Sequence, residues 1–261
     1  MNSRLSIALG ASAAAALIQH QRRSRNALER FAAAALETLL NAIEANDQDT
    51  GMHVRRVAAM SLIIADAAGF DARQQKCIER VALFHDIGKI HEALFDIVHE
   101  GTRLTPAQRR LIDTHPRRGA EVLAPLEPFY PELTNGVLSH HECWNGSGYP
   151  RRLRGKRIPI EARVVAIADT FDAITHSRSY RGAAGVEHAI EVLAAGRGTQ
   201  FDPELLDLAL LPPVIERMTR VHLAYTKTRS GRRARRREAV PDVSFRWRSE
   251  SLGSRRIRAT G

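Results

Sequence analysis

The chain has 261 residues, 44% hydrophobic and 26% charged, a balance ordinary for globular proteins that excludes collagen-like, mucin-like and wholly disordered classes. Its formal net charge of +10 is unevenly spread: residues 227–261 hold 12 Lys/Arg against 3 Asp/Glu, whereas residues 1–226 hold 27 against 26. Aromatics at 5% beside abundant Ala and Leu favour an all-α protein over short strands, and two cysteines, Cys77 and Cys143, cannot build a disulfide framework, so a reduced, cytoplasmic chain is expected.

The first segment is a weakly hydrophobic run from Leu5 to Ile18 behind Arg4. It is shorter than the ~20 residues a membrane-spanning helix needs, so no transmembrane segment is expected. Ala14-Ala15-Ala16 would also suit a signal-peptide cleavage site. The preferred reading is a helical arm over residues 1–45, continued by Leu28, Phe31, Leu36, Leu39, Leu40 and Ile43 at helical spacing, and suited to pairing two copies as a homodimer. Residues 46–226 read as one domain of helices near 51–68, 72–87, 105–113, 117–124, 132–142, 161–175, 185–195 and 203–210, without a strand pair. Asp71 with Gln74 and Thr105-Pro106 with Gln108 predict capping boxes, and Asp202-Pro203 predicts another helix start.

Chemistry concentrates on the apolar faces of these helices. His53 is in line with Val57, Met60 and Ile64; His85 with Ile78 and Val81, and with Asp86 beside it; Val137 leads to His140 and His141; Val165 leads to Asp169. His115 precedes Pro116 and is expected at a helix entrance. One histidine on an apolar face is usually a satisfied core residue, but five His and two Asp cannot all be buried without compensating positive charge. Divalent metal ions supply it, and a carboxylate next to a ligating His, as in His85-Asp86, can bridge two ions at the spacing used to hydrolyse phosphate esters. The nitrogen-rich set favours iron, manganese, zinc or cobalt over magnesium or calcium. Directly after the His pair, Glu142 to Pro150 carries two glycines and a proline that force a tight loop. Tyr149 or Trp144 there either stacks on a substrate base or plugs the core.

His85-Asp86-Ile87-Gly88-Lys89 and Gly148-Tyr149-Pro150 resemble the two motifs of the HD-GYP domain, a branch of the HD phosphohydrolases. The likeness extends through Thr50–Arg56, His115–Glu121, Arg163–Ala173, Arg178-Ser-Tyr180-Arg181 and Gly198–Pro203, covering roughly residues 46–211. It implies an HD-type helical bundle and a phosphodiesterase that hydrolyses cyclic di-GMP to pGpG and GMP by attack of a metal-activated hydroxide. It also implies His53, His85, Asp86 and Asp169 around one ion and Asp86, His115, His140 and His141 around a second, with iron or manganese as the metal. Asp49, four positions before His53, is the family's place for a ligand to a third ion, and is otherwise read as a solvated residue or a cap. Lys89, one helical turn after His85, either balances phosphate charge or is an ordinary exposed residue at a helix end; by the same resemblance Arg178 and Arg181 contact phosphate or guanine, and Tyr149 shapes the pocket wall. Asp172, one turn after Asp169, is read as a structural ion-pair partner. Related readings are a phosphohydrolase of another cyclic dinucleotide and a non-catalytic receptor of cyclic di-GMP.

The sequence departs from the family pattern over Ile90–Gly101 and at Asn145, where Asp is commoner. None of these changes touches an expected metal ligand. The tail, residues 227–261 with Gly231–Arg237 as its most basic stretch, reads as disordered, and either contacts nucleic acid or another anionic surface or serves only as a solubilising segment.

Overall fold

The structure, a computed structural model, describes residues 2–90, 105–176 and 183–230. It is all-α, and among the described residues there is no β-strand, only an isolated bridge between Arg197 and Phe201. The helices are α1 (Asn2–Asn46), α2 (Gln48–Ala67), α3 (Ala72–Phe84), α4 (Pro106–Ile112), α5 (His115–Leu123), α6 (Pro131–Ser139), α7 (Ile160–His176), α8 (Ala183–Ala195), α9 (Pro203–Ala209) and α10 (Pro212–Ser230), with a 3-10 turn at Ile87–Ile90. The described chain divides into two units, residues 2–39 of α1 and the residues from Leu40 onward. No described helix is long and apolar enough to cross a membrane. The basic stretch from Gly231 onward lies outside the described residues.

Local chemistry sets the helix starts. Asp71 and Thr105 each form the expected capping box, with Gln74 and Gln108 reaching back to the cap backbone. Asp202 accepts from Glu204 N at 2.9 Å ahead of Pro203, and Asp47 caps α2 by accepting from Asp49 N. His115 opens α5 with Pro116 in its first turn, as the sequence implies.

The helix ends differ from expectation. α3 stops at Phe84 rather than near 87, leaving His85 as its cap, and α6 stops at Ser139, leaving His140 as its cap and His141 in the turn beyond. The 3-10 turn after Asp86 presses Gly88 onto α5 so tightly that a Cβ there would overlap the His115 carbonyl oxygen. Only glycine permits that approach, and a continuous α3 would not provide it. α10 is an addition: among its described side chains the buried stripe is Val214, Met218 and His222, too sparse to stand out in a strongly charged segment.

The core sits around α7, which is buried on nearly every side through Ala162, Val164, Val165, Ile167, Ala168, Phe171 and Thr175. A helix buried on most of its faces belongs in the middle of a bundle. α2 packs on α3, α7 and α10, and its inward face is Val54, Val57, Met60 and Ile64. Each such side chain taken fully from water contributes about 1.5–3 kcal/mol. A buried ion pair crosses this core: Arg56 on α2 donates from Nε and Nη2 to the two oxygens of Asp172 on α7, at 2.7 and 2.8 Å.

Candidate metal centre

The bundle brings the seven expected ligand residues into two adjoining groups. His53, His85 and Asp169 form one, and His115, His140 and His141 the other; within each group the ligand atoms lie within 4.8 Å of one another. Asp86 stands between them. Its Oδ2 is 3.4 Å from His85 Nε2 and 3.8 Å from His53 Nε2, while its Oδ1 is 3.3 Å from His115 Nε2 and 4.0 Å from His140 Nε2. His53 Nε2 is also 3.2 Å from Asp169 Oδ1. In the second group the His140 and His141 ring centroids are 4.2 Å apart, and each lies 5.0 Å from that of His115.

Helix ends orient three of these rings. The last carbonyls of a helix have no partner within it. His85 Nδ1 donates to Ala82 O at 2.7 Å, His115 Nδ1 to Ile112 O at 2.7 Å and His140 Nδ1 to Val137 O at 2.6 Å, each carbonyl lying in the last turn of its helix. A carbonyl can only accept, so Nδ1 carries the proton and Nε2 presents a lone pair inward. His53 is inside α2, where the carbonyls are committed to helical bonds. Its Nδ1 instead donates to Asp172 Oδ2 at 2.8 Å, across the bundle.

These lone pairs converge without enough donors to satisfy them. His115 Nε2 and His140 Nε2 face each other at 3.0 Å, and His85 Nε2 and Asp86 Oδ1 are buried with no hydrogen-bond partner. Such an array is costly unless a cation or proton is shared within it, and the donor set, imidazole nitrogens with bridging carboxylate oxygens, fits divalent transition metals.

The electrostatics divide along the same line. Burial pushes His140 well below the ordinary histidine value, helped by the neighbouring imidazoles, and brings His141 down to about 4, so both rings are neutral and able to ligate. Burial also opposes charge on His53, but hydrogen bonds to Asp169 and Asp172 outweigh it and raise the ring to about 10. Asp86 is held well below the usual carboxylate range despite its burial, chiefly by Lys89, whose Nζ donates to Asp86 Oδ2 at 2.7 Å.

The loop after the His pair forms one wall. Tyr149 stacks on His141, with centroids 5.0 Å apart and ring planes 20° apart, and its phenol lies against Asp113. Glu142, 3% exposed, accepts from Arg151 N at 2.7 Å and Leu153 N at 2.9 Å, closing the loop from inside. Trp144 N donates to Gln200 O and Asn145 N to Thr199 O, tying the loop to the turn after α8. Asn145 Oδ1 accepts from Ser147 N at 2.9 Å, the turn-forming contact an Asp would also make. A Cβ at Gly148 would overlap Cys143 N, so this loop folds back on itself only with glycine there.

Residues 37–205 match the HD domain. The chain belongs to the HD-domain family. Its relatives include the 3'3'-cGAMP-specific phosphodiesterase 2 of Vibrio cholerae, 37% identical over 66% of this chain and 33% of that protein. Another is the cyclic di-GMP phosphodiesterase response regulator RpfG of Xanthomonas campestris, 35% identical over 76% of this chain and 52% of that protein. The matched stretch thus spans a third to about half the length of these curated relatives. The HD domain also superposes on Bd1817, a protein from Bdellovibrio bacteriovorus described as HDGYP, with TM-score 0.52 and 22% identity over 70% of this chain and 61% of that one. The likeness to HD-GYP proteins carried by the His85–Lys89 and Gly148–Pro150 segments agrees with these findings.

Within the HD domain, Lys89 and Tyr149 border the two groups, whereas Asp49 is an exposed residue in the first turn of α2, outside both. Arg178 and Arg181 lie outside the described residues, as does the divergent stretch Ile90–Gly101 from position 91 onward. Three features were not read from the sequence: the contact of Asp172 with His53, the closure of the loop by Glu142, and Asp113 against Tyr149. Asp172 shares the Asp169 face of α7 at a spacing of three residues, a signal that was available. Glu142 and Asp113 carried no periodic signal, because each acts from a turn or a helix end.

Proposed function

We propose that this chain is a metal-dependent phosphodiesterase that opens cyclic di-GMP to pGpG and then GMP. One observation carries the proposal: the Asp86 carboxylate turns one oxygen toward each group of histidines. That is the arrangement a pair of adjacent cations needs for a bridging ligand. His53, His85, Asp86 and Asp169 would hold one ion, and Asp86, His115, His140 and His141 the other. Iron or manganese is the proposed metal, and a third ion would take Asp49 beside His53. Such ions, when bound, polarise the phosphoryl oxygens and lower the pKa of water to provide the nucleophile.

The residues around the centre do the rest. Lys89, held by Asp86 at the edge of the site, places a fixed positive charge where a phosphodiester gathers negative charge. Tyr149, fixed on His141, forms a flat wall for a base. Arg178 and Arg181 are proposed to bind phosphate or guanine through their planar guanidinium groups. The arm of residues 1–45 is proposed to pair two copies, the tail of residues 227–261 to contact anionic polymers or lipid, and the whole to work in the cytoplasm.

A second reading, hydrolysis of 3'3'-cGAMP, is favoured by the similarity to the Vibrio cholerae enzyme named for that substrate. The deciding experiment purifies the full chain without oxygen, counts metal per chain, and follows cyclic di-GMP, 3'3'-cGAMP and pGpG by chromatography. Faster loss of cyclic di-GMP with pGpG and GMP as products is expected. Preference for 3'3'-cGAMP would establish the second reading, and a metal-loaded chain inert toward both would overturn each.

A further inference from the structure

We propose that Asp172 is the positioning residue for His53, and that Arg56, Asp172 and His53 form a relay that builds one half of the metal centre selectively. The proposal rests on the two-ion reading above. His85, His115 and His140 are all oriented by carbonyls that a helix end leaves free, and nothing outside their local backbone is needed. His53 lacks that device because it lies within α2, so its orientation must come from another helix. Asp172 on α7 provides it at 2.8 Å with a fully buried carboxylate. Arg56, itself 2% exposed, grips both oxygens of that carboxylate, leaving Oδ2 aimed at His53 Nδ1.

The chemistry of the relay goes beyond an ion pair. A carboxylate accepting the Nδ1 proton fixes the ring so that Nε2 faces inward, and makes Nε2 a stronger donor than a carbonyl does. The inward nitrogen is the one 3.2 Å from Asp169 and 3.8 Å from the bridging Asp86. The His115 group receives nothing from the relay, since its orienting carbonyls belong to α4 and α6. Loss of Asp172 is therefore felt by one half-site, whereas a purely structural ion pair would act through stability alone.

The test titrates the metal-free full chain with Mn²⁺ and reads free Mn²⁺ by electron paramagnetic resonance, with thermal melts of the same samples. Wild type is expected to bind two ions. His53→Ala removes one binding event and His115→Ala the other, which assigns the two events to their half-sites. Asp172→Asn should weaken the event that His53→Ala removes by about 10- to 100-fold and leave the other within error. Arg56→Gln, which removes the guanidinium but leaves the carboxylate before His53, should melt earlier yet keep that event far better than Asp172→Asn does. If Asp172→Asn fails to fold, Arg56→Gln decides: a weakening confined to the His53 event, smaller than loss of the carboxylate would give, upholds the relay, and no weakening, or equal weakening of both events, overturns it. Equal weakening of both events by Asp172→Asn, or no weakening, overturns the proposal alone. A wild-type chain that binds no Mn²⁺ overturns the two-ion reading and the relay with it.

Discussion

At the scale of single residues, the centre depends on side chains that cannot be exchanged for near equivalents. Asp86 is 5% exposed and, among the described residues, is the carboxylate with an oxygen toward each histidine group, so Asp86→Ala removes a bridge rather than one ligand among several. A bridging group is responsible for several kcal/mol of charge stabilisation, so turnover of a cyclic dinucleotide should fall by on the order of 10³-fold or more. At least one ion per chain should be lost as well; metal analysis and product chromatography on one preparation check both. Gly88 makes a different point. An alanine methyl would overlap the His115 carbonyl, and the 3-10 turn must then move away from α5, carrying Asp86 with it. Gly88→Ala should cost about 1–3 kcal/mol in a denaturant titration, in the range of overpacked cores, and should lower activity beyond what the folded fraction explains. That these imidazoles and carboxylates turn inward was legible in the sequence, because they fall on apolar faces where burying them is costly without compensating charge. The need for glycine at position 88 was not, because it arises from a helix more than twenty residues away.

At the scale of elements, what the sequence disclosed depended on whether the cause was local. The caps at Asp71, Thr105 and Asp202 stand where side chain and spacing put them, since each satisfies backbone donors within three residues. The ends of α3 and α6 do not follow the apolar stripe, because the 3-10 turn and the loop after His141 pull the chain away to complete the site. Those early ends leave the carbonyls of Ala82 and Val137 free to orient His85 and His140. The loop of Glu142 to Pro150 shows the same economy, with one buried carboxylate accepting from two backbone N–H groups. Glu142→Gln replaces one of those acceptors with an amide that opposes an N–H. It should lower stability by about 1.5–3 kcal/mol, the value of a hydrogen bond to a charged group. Tyr149 should then be held less firmly, so KM should rise while metal content stays at the wild-type level, since Glu142 belongs to neither histidine group. Steady-state kinetics on metal-counted protein separate this from a general loss of fold.

For the whole molecule, the seven expected ligand residues span positions 53 to 169 and come from five separate places in the chain, so they meet only once the bundle around α7 has assembled. Sequence pattern indicates which residues face inward, but which group each one joins is settled by long-range packing, including the buried Arg56–Asp172 pair between α2 and α7. The assembled state holds facing lone pairs at His115 and His140 and a buried, unpartnered Asp86 oxygen, an arrangement a cation relieves only when the chain is folded. Metal binding and folding are therefore linked: an ion that binds the native state at 100 times its Kd adds about 2.7 kcal/mol of stability. For a domain of this size that corresponds to a rise in Tm of about 5–11 °C for each site filled. Differential scanning fluorimetry of the full chain should show this rise when Mn²⁺ is added to chelator-treated protein, and its reversal when excess chelator is returned. The rise should be smaller in Asp86→Ala, where the shared ligand is gone, and an unchanged rise in that variant would show that the ions bind somewhere other than the histidine groups.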